Sequence, residues 1–420
     1  MELFKARQLL TIMWAQSVST YANQIIALTV PWLVLTRTGN AASAGTIAFA
    51  MGIAALAGLL AGGIVTDRIG GRRVSMLADS LSMVTALALA LTVCLGYFSI
   101  WFVAVTQVLG VFFDGPGNIA KVTAVPAAAE EEGVPMTRAM GLTQTLQGTA
   151  TFLGPITAGV LIGVLGEANT LFATTVLFLI SILLASHLRQ QVRSHENPMS
   201  AGQVLRDMRE AVDFLRHEPF LGKMQLVGPL MGAVIVPIPA LVFPAWFVFG
   251  HQDSRSLGIF LGAGAVGGTV GGFLFSAYAG KLAQRTWLVG ATALYAVAIL
   301  SLYFVQPGSS VAIGVNFVAG LMLSVLFAVP FTAFYGRTPQ ELLGRVGSLG
   351  AAEGSLMGAA ASLGFGWLMH TVSAPIALLV CATIMGALAV ALATMPFMRL
   401  LDAAGPETEA EPESELVYAA

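Results

Sequence analysis

Gly63-Ile-Val-Thr-Asp67-Arg68-Ile-Gly70-Gly71-Arg72-Arg73 is a short polar break between two long apolar runs, Ala41 to Val65 and Val74 to Leu95. Its glycines let the chain reverse within a few residues. Its charged side chains cannot enter hydrocarbon without a cost of about 2.5–3.5 kcal/mol each. Each flanking run is long enough to cross about 30 Å of hydrocarbon as a helix. The stretch reads as a tight turn at a membrane surface between two antiparallel spans, held on the cytoplasmic side by its arginines.

Working outward from this turn, the same rule divides the whole chain. Apolar runs extend over Leu9 to Leu35, Ala41 to Val65, Val74 to Leu95, Ser99 to Ala120, Met140 to Leu165 and Asn169 to His187. After a long break they resume over Leu226 to Phe249, Ser256 to Ala279, Trp287 to Val305, Val311 to Tyr335, Val346 to His370 and Pro375 to Met398. The expectation is an all-α integral membrane protein with twelve transmembrane helices. The composition agrees, since 56% of the 420 residues are hydrophobic and only 10% charged, where a soluble domain carries about 25% charged residues. A net charge of −2 gives no electrostatic reason for a nucleic-acid partner. The two cysteines, Cys94 and Cys381, lie in apolar runs as small core residues.

The basic residues fix the expected orientation. Numbered from a cytoplasmic N-terminus, the inner segments hold 18 of the 20 Lys and Arg residues, leaving Arg37 and Arg255 outside. Both termini are therefore expected in the cytoplasm. The first run is too long for a signal peptide and has no A-x-A site after it, so it reads as an uncleaved span.

Four regions are expected: a first six-helix bundle over 1–188, a cytoplasmic linker over 189–219, a second bundle over 220–400 and an acidic tail over 401–420. In the linker Val204, Leu205, Met208, Val212 and Leu215 recur at helical spacing, with Arg206, Asp207, Arg209, Glu210 and Arg216 elsewhere around the helix. That pattern predicts an amphipathic helix with Ser200 as N-cap and Pro219 as a stop. The tail GPETEAEPESELVYAA lacks large apolar residues and is expected to be disordered.

The halves echo each other. Arg138 corresponds to Arg345, Gly159 to Gly366, and Gly62, Gly63, Gly71 and Arg72 to Gly271, Gly272, Gly280 and Lys281, at an offset of about 207–209. Two six-span pseudo-repeats are the expectation, with a substrate site near the midplane where repeats meet.

The opening stretch resembles the loop signature of the major facilitator superfamily, G-x-x-x-D-R-x-G-x-R-R, at every defined position. The resemblance implies that Gly63, Asp67, Arg68, Gly70, Arg72 and Arg73 form a cytoplasmic latch between halves. In the second half Ser276 and Ala277 replace the Asp-Arg pair. Gly141, Gly154, Pro155 and Gly159 are similar to the superfamily's antiporter signature, with Ala150 and Ala158 in place of glycines; in the family this signature accompanies export. Asn23 to Val34, with Thr38-Gly39, Asp79 and Val134-Pro135, resembles the branch of macrolide efflux proteins and the enterobactin exporter. Thr106 stands where that pattern usually has an Arg in span four, which weakens any coupling scheme relying on it.

Three carboxylates fall inside spans, where each calls for a functional hypothesis. Asp114 shares a helical face with Gln107, Gly110, Asn118 and Lys121, and is either the proton-binding group or a partner of Lys121. Asp79 is either a structural partner of the Arg72-Arg73 turn or a coupling group. Glu353 either latches onto the first half or reaches water. Neutral polar and aromatic side chains that the cavity would use are Gln16, Asn23, Gln107, Asn118, Gln144, Gln147, Gln225, Trp246, Asn316 and Phe331. A polar wall facing an aromatic wall suits an amphipathic organic solute.

No catalytic, metal-binding or nucleotide-binding spacing occurs, so the chain reads as a transporter without cofactor rather than an enzyme. The expected function is export of an amphipathic small molecule, such as a drug, macrolide-like compound or siderophore, by a monomer using proton antiport. A lipid or lysophospholipid translocator and a small-solute importer share the same frame.

Overall fold

The computed structural model describes residues 6–188 and 201–403, and every regular element among them is helical. Ser200, the start of the linker and the tail from residue 404 onward lie outside the described residues. The first half comprises α1 (Arg7–Thr38), α2 (Ala41–Ile69), α3 (Gly71–Cys94), α4 (Ile100–Glu131), α5 (Met136–Leu165) and α6 (Glu167–Ser186). The linker helix α7 (Ala201–His217) follows. The second half has α8 (Pro219–Ile235), a π turn (Ile238–Val242), α9 (Phe243–Phe249), α10 (Ser254–Tyr278), α11 (Gln284–Tyr303), α12 (Ser310–Arg337), α13 (Leu343–Thr371) and α14 (Ala374–Thr394). A last short turn, α15 (Leu400–Ala403), buries Leu401.

Eleven of these segments are long and apolar enough to cross a membrane. The twelfth expected span is α13, 29 residues long, whose Arg345, Glu353 and His370 dilute its apolar run. Large apolar side chains point outward, with Trp101, Phe273 and Phe304 between 74% and 79% exposed. In water such a surface would aggregate; against lipid it is the expected face.

The turns follow from local chemistry. Gly70, at φ +90°, is the single residue between α2 and α3, a conformation that a side chain would strain. Asn40 caps α2 by accepting from the Ser43 amide at 3.2 Å. Glu132, just past α4, accepts from the amides of Gln8 at 2.7 Å and Leu9 at 3.1 Å, covering orphan donors at the start of α1. Pro219 does not merely stop the linker helix. It is the first residue of α8, where a proline loses no intrahelical bond, and the Glu218 carboxylate caps that helix from the amides of Phe220 and Leu221, both at 2.7 Å.

Within the first half α1 packs on α5 and α6, α2 on α4, and α3 on α4 and α6. Within the second α10 packs on α12, α11 on α12 and α14, and α8 on α13. The halves touch chiefly through α2 against α13 and α5 against α10. Because span two corresponds to span eight and span five to span eleven, these two seams are copies of one contact. The linker helix α7 is fastened to the second half, where Glu210 pairs with Arg345.

Candidate functional site

The seam between halves is closed at one end of the molecule. On α5, a Cβ added to Gly159 would lie 2.5 Å from the Gly258 Cα and 2.8 Å from the Ser254 carbonyl oxygen of α10. On α13, a Cβ added to Gly366 would lie 2.8 Å from the Gly45 Cα and 2.8 Å from the Ala41 carbonyl oxygen of α2. The sequence echo of Gly159 and Gly366 thus has a physical cause: each lets backbone approach backbone at the equivalent crossing. All six residues lie at the end away from the α2–α3 turn. Toward the α2–α3 turn, a Cβ on Gly141 or Gly148 of α5, Gly272 of α10, or Gly344 or Gly354 of α13 would meet nothing within 4 Å.

Between the halves lies a cavity of about 690 Å³. The first half contributes Gln24 and Ala27 of α1 and Thr151, Phe152 and Pro155 of α5; the second contributes the break in span seven, with Asn316, Ser324 and Phe327 of α12. None of its lining residues is charged. The antiporter-like motif stands at this wall. A Cβ on Gly154 would lie 2.3 Å from the Gln24 Cβ, so this glycine seats α5 directly on α1. Tyr21 donates to the Thr157 hydroxyl at 2.6 Å across the same helix pair.

Span seven is not one continuous α-helix. Pro237 and Pro239 lack amide hydrogens, so the regular ladder fails there, and a π turn joins α8 to α9. Ile235, Val236, Ile238, Pro239 and Ala240 at this break line the cavity, as discontinuous helices do at transporter binding sites. The sequence reading missed these residues. Their signal was the Pro237-Ile238-Pro239 spacing inside an otherwise apolar span.

The first half carries a buried polar network. Lys121 of α4 reaches both Asp79 oxygens at 2.8 Å, with side chains only 3% and 2% exposed. Ser19 of α1 donates to Asp79 at 2.8 Å and Ser181 of α6 at 2.6 Å. Asp79 is therefore the partner of Lys121, not of the Arg72-Arg73 turn; Arg72 instead donates to the Ser186 carbonyl. Lys121 is also not a loop charge, since it sits inside α4. Asp114 accepts from Ser82 at 2.8 Å, and no cation stands within ion-pair distance of it among the described residues. Gln16 donates to Asn118 at 3.2 Å and leaves its own carbonyl oxygen buried without a partner.

The remaining expected residues disperse. Of the ten side chains assigned to the cavity, Asn316 alone lines it, anchored by donation to the Phe260 carbonyl at 2.7 Å. Trp246 is core, packed edge-on against Phe247 and Phe260. Phe331 is exposed and stacks on Tyr335. Gln107 is buried, Asn23 and Gln147 half-buried, and Gln144 exposed on α5. Gln225 donates to Glu353 at 2.5 Å, within the second half. Of the latch residues, Gly63 and Asp67 are described only as helical backbone, and Arg68 is exposed.

With this geometry in hand, similarity to known proteins is informative. The sequence model of the Major Facilitator Superfamily matches residues 12–362. The multidrug efflux pump Tap of Mycolicibacterium fortuitum is 30% identical over 363 residues, which are 84% of this chain and 88% of Tap. The enterobactin exporter EntS of Citrobacter koseri is 23% identical over 365 residues, 86% and 85% of the two chains. Among solved structures the nucleoside transporter NupG superposes with a TM-score of 0.75 at 13% identity, covering 92% of this chain and 98% of NupG. That last likeness speaks for the fold alone.

Proposed function

The chain belongs to the Major Facilitator Superfamily, and from that premise we propose that it exports an amphipathic small organic molecule by proton antiport. Membership makes it a multi-pass membrane transporter of a small molecule rather than an enzyme. The observation that carries export is the similarity, over more than four fifths of each chain, to relatives named as an efflux pump and an exporter. The Gly154-Pro155 motif at the cavity wall supports the same direction.

In this reading the α2–α3 turn faces the cytoplasm of a bacterial inner membrane, both termini are cytoplasmic, and the cavity opens inward. The halves, over 1–188 and 220–400, rock about the Gly159 and Gly366 crossings as a monomer. Asp67, Arg68, Arg72 and Arg73 hold the cytoplasmic side together when it closes. Asp114 is the first choice for the proton-binding group, because Lys121 is held by Asp79; Glu353 and Asp79 come after it. One proton moving inward at 100 mV supplies about 2.3 kcal/mol, and one pH unit about 1.4. Together these sustain a solute gradient of several hundred-fold.

The test is transport in vesicles of both orientations. Inside-out vesicles energised by respiration should accumulate an amphipathic dye or siderophore, and a protonophore should abolish this. Gradient-driven accumulation in right-side-out vesicles instead would reverse the direction.

A further inference from the structure

One polar side chain at the central cavity has no work in the packing around it. Tyr295 of α11 lines the cavity and is only 4% exposed, yet its hydroxyl meets no hydrogen-bonding partner among the described residues. We infer that Tyr295 is a specificity-determining residue and that this cavity takes uncharged solutes bearing a carbonyl-type oxygen. The inference deepens the export reading, and it rests on that reading in taking this cavity as the place where the solute binds.

A buried phenol normally gives its proton to a neighbouring acceptor, because a bond left unmade does not repay the loss of water. Elsewhere on this wall that rule holds. Asn316 donates to the Phe260 carbonyl at 2.7 Å, and Ser324 to the Leu321 carbonyl at 2.8 Å. Tyr295 keeps a free donor. From the other half Gln24 of α1, half-buried, brings a carboxamide that also has no partner among the described residues. The two free groups belong to opposite halves, so a solute with an acceptor at one end and a second polar group at the other touches both.

No charge of either sign lines the cavity. A cation or an anion entering it would shed water and find no counter-charge, whereas a neutral acceptor exchanges a hydrogen bond from water for one from Tyr295. Phe152, Ile238 and Phe327 take up the apolar body of the solute. The volume of about 690 Å³ lies in the range of drug-sized sites, about 300–1,000 Å³.

Three compounds of one shape separate charge from hydrogen bonding. Triphenylphosphine oxide is a neutral acceptor, methyltriphenylphosphonium a cation, and triphenylmethane neutral without an acceptor. Their equilibrium binding to the purified full-length protein in detergent, with no gradient, tests the assignment. The phosphonium should displace labelled oxide about tenfold or more weakly than unlabelled oxide does, because its charge stays uncompensated. Tyr295→Phe should weaken the oxide by about fivefold or more, the scale of one neutral hydrogen bond, and leave triphenylmethane within about twofold. The same variant should melt no lower than the parent, since the lost hydroxyl has no partner inside the protein. Thr151→Asp puts a carboxylate on the lining from the first half and should turn the preference toward the phosphonium. No binding of the oxide, equal displacement by oxide and phosphonium, parent affinity or a lower melting temperature in Tyr295→Phe, or an unchanged preference in Thr151→Asp overturns the assignment. Binding that follows this pattern in protein that does not export in vesicles would refute the efflux reading and leave the selectivity of the cavity standing.

Discussion

The Lys121 ammonium lies 2.8 Å from both carboxylate oxygens of Asp79, with both side chains almost fully buried, so Asp114, seven positions earlier on α4, faces Ser82 instead of a cation. Two carboxylates on the packed helices α3 and α4 thus have different electrostatic lives. Asp79 is neutralised within a four-helix knot that also includes Ser19 and Ser181. Asp114 is met by the neutral side chains of Ser82 and Asn23 and is half-buried.

The knot is expected to be structural. Lys121→Met leaves a buried carboxylate with two hydroxyl donors, and breaking a buried pair in this way costs about 3–5 kcal/mol. Thermal unfolding in detergent should show a large loss of stability. The double variant Asp79→Asn with Lys121→Met should recover most of it; a single variant that melts normally would contradict the role.

Asp114→Asn should fold, because the amide can still accept from Ser82 and no volume is lost. It should abolish proton-driven accumulation while downhill exchange of solute stays measurable in the same vesicles. Concentration of solute against a gradient by this variant would move coupling elsewhere.

Gly159 and Gly141 belong to one motif yet should respond oppositely. A methyl on Gly159 meets α10 backbone at 2.5 Å, so Gly159→Ala should force the seam apart and lower both stability and transport. A methyl on Gly141 meets nothing, and replacing a helical glycine by alanine is favourable by roughly 0.5–1 kcal/mol. Melting temperatures of the two variants compared with the parent decide the matter.

Asp67→Asn, Arg72→Gln and Arg73→Gln should each lower transport several-fold with membrane expression retained, since the turn lies outside the packed seam. Immunoblots of membranes alongside transport rates separate the two effects. Unchanged rates in all three would leave the motif as a topology signal alone.

Glu210 and Arg345 form an ion pair with half-exposed side chains. Exposed pairs contribute about 0–1 kcal/mol, so Glu210→Gln should change melting little, and the apolar face of α7 should still hold the linker to the second half. A loss as large as that of Lys121→Met would show that the pair is the fastening.

Hydropathy and charge determined that the chain spans a membrane and about how many times, and the echoed glycines and basic residues determined that its halves repeat. Those properties are written residue by residue, because a lipid-facing helix must be apolar over its whole length and has no alternative way to satisfy its backbone. The helix ends were less legible: α4 runs to Glu131 and α5 starts at Met136, beyond the apolar limits, since a helix leaving hydrocarbon can continue with polar residues. The motif Gly154-Pro155 was visible, but that Gly154 seats α5 on α1 while Gly159 meets α10 depends on which neighbour each face finds. The tertiary structure alone decided that Lys121 pairs with Asp79 on another helix and not with Asp114 on its own. It also decided that the break at Pro237 and Pro239 lines the cavity while Trp246 does not. Helical spacing specifies which side chains share a face, but the partner across that face is fixed only when the helices pack.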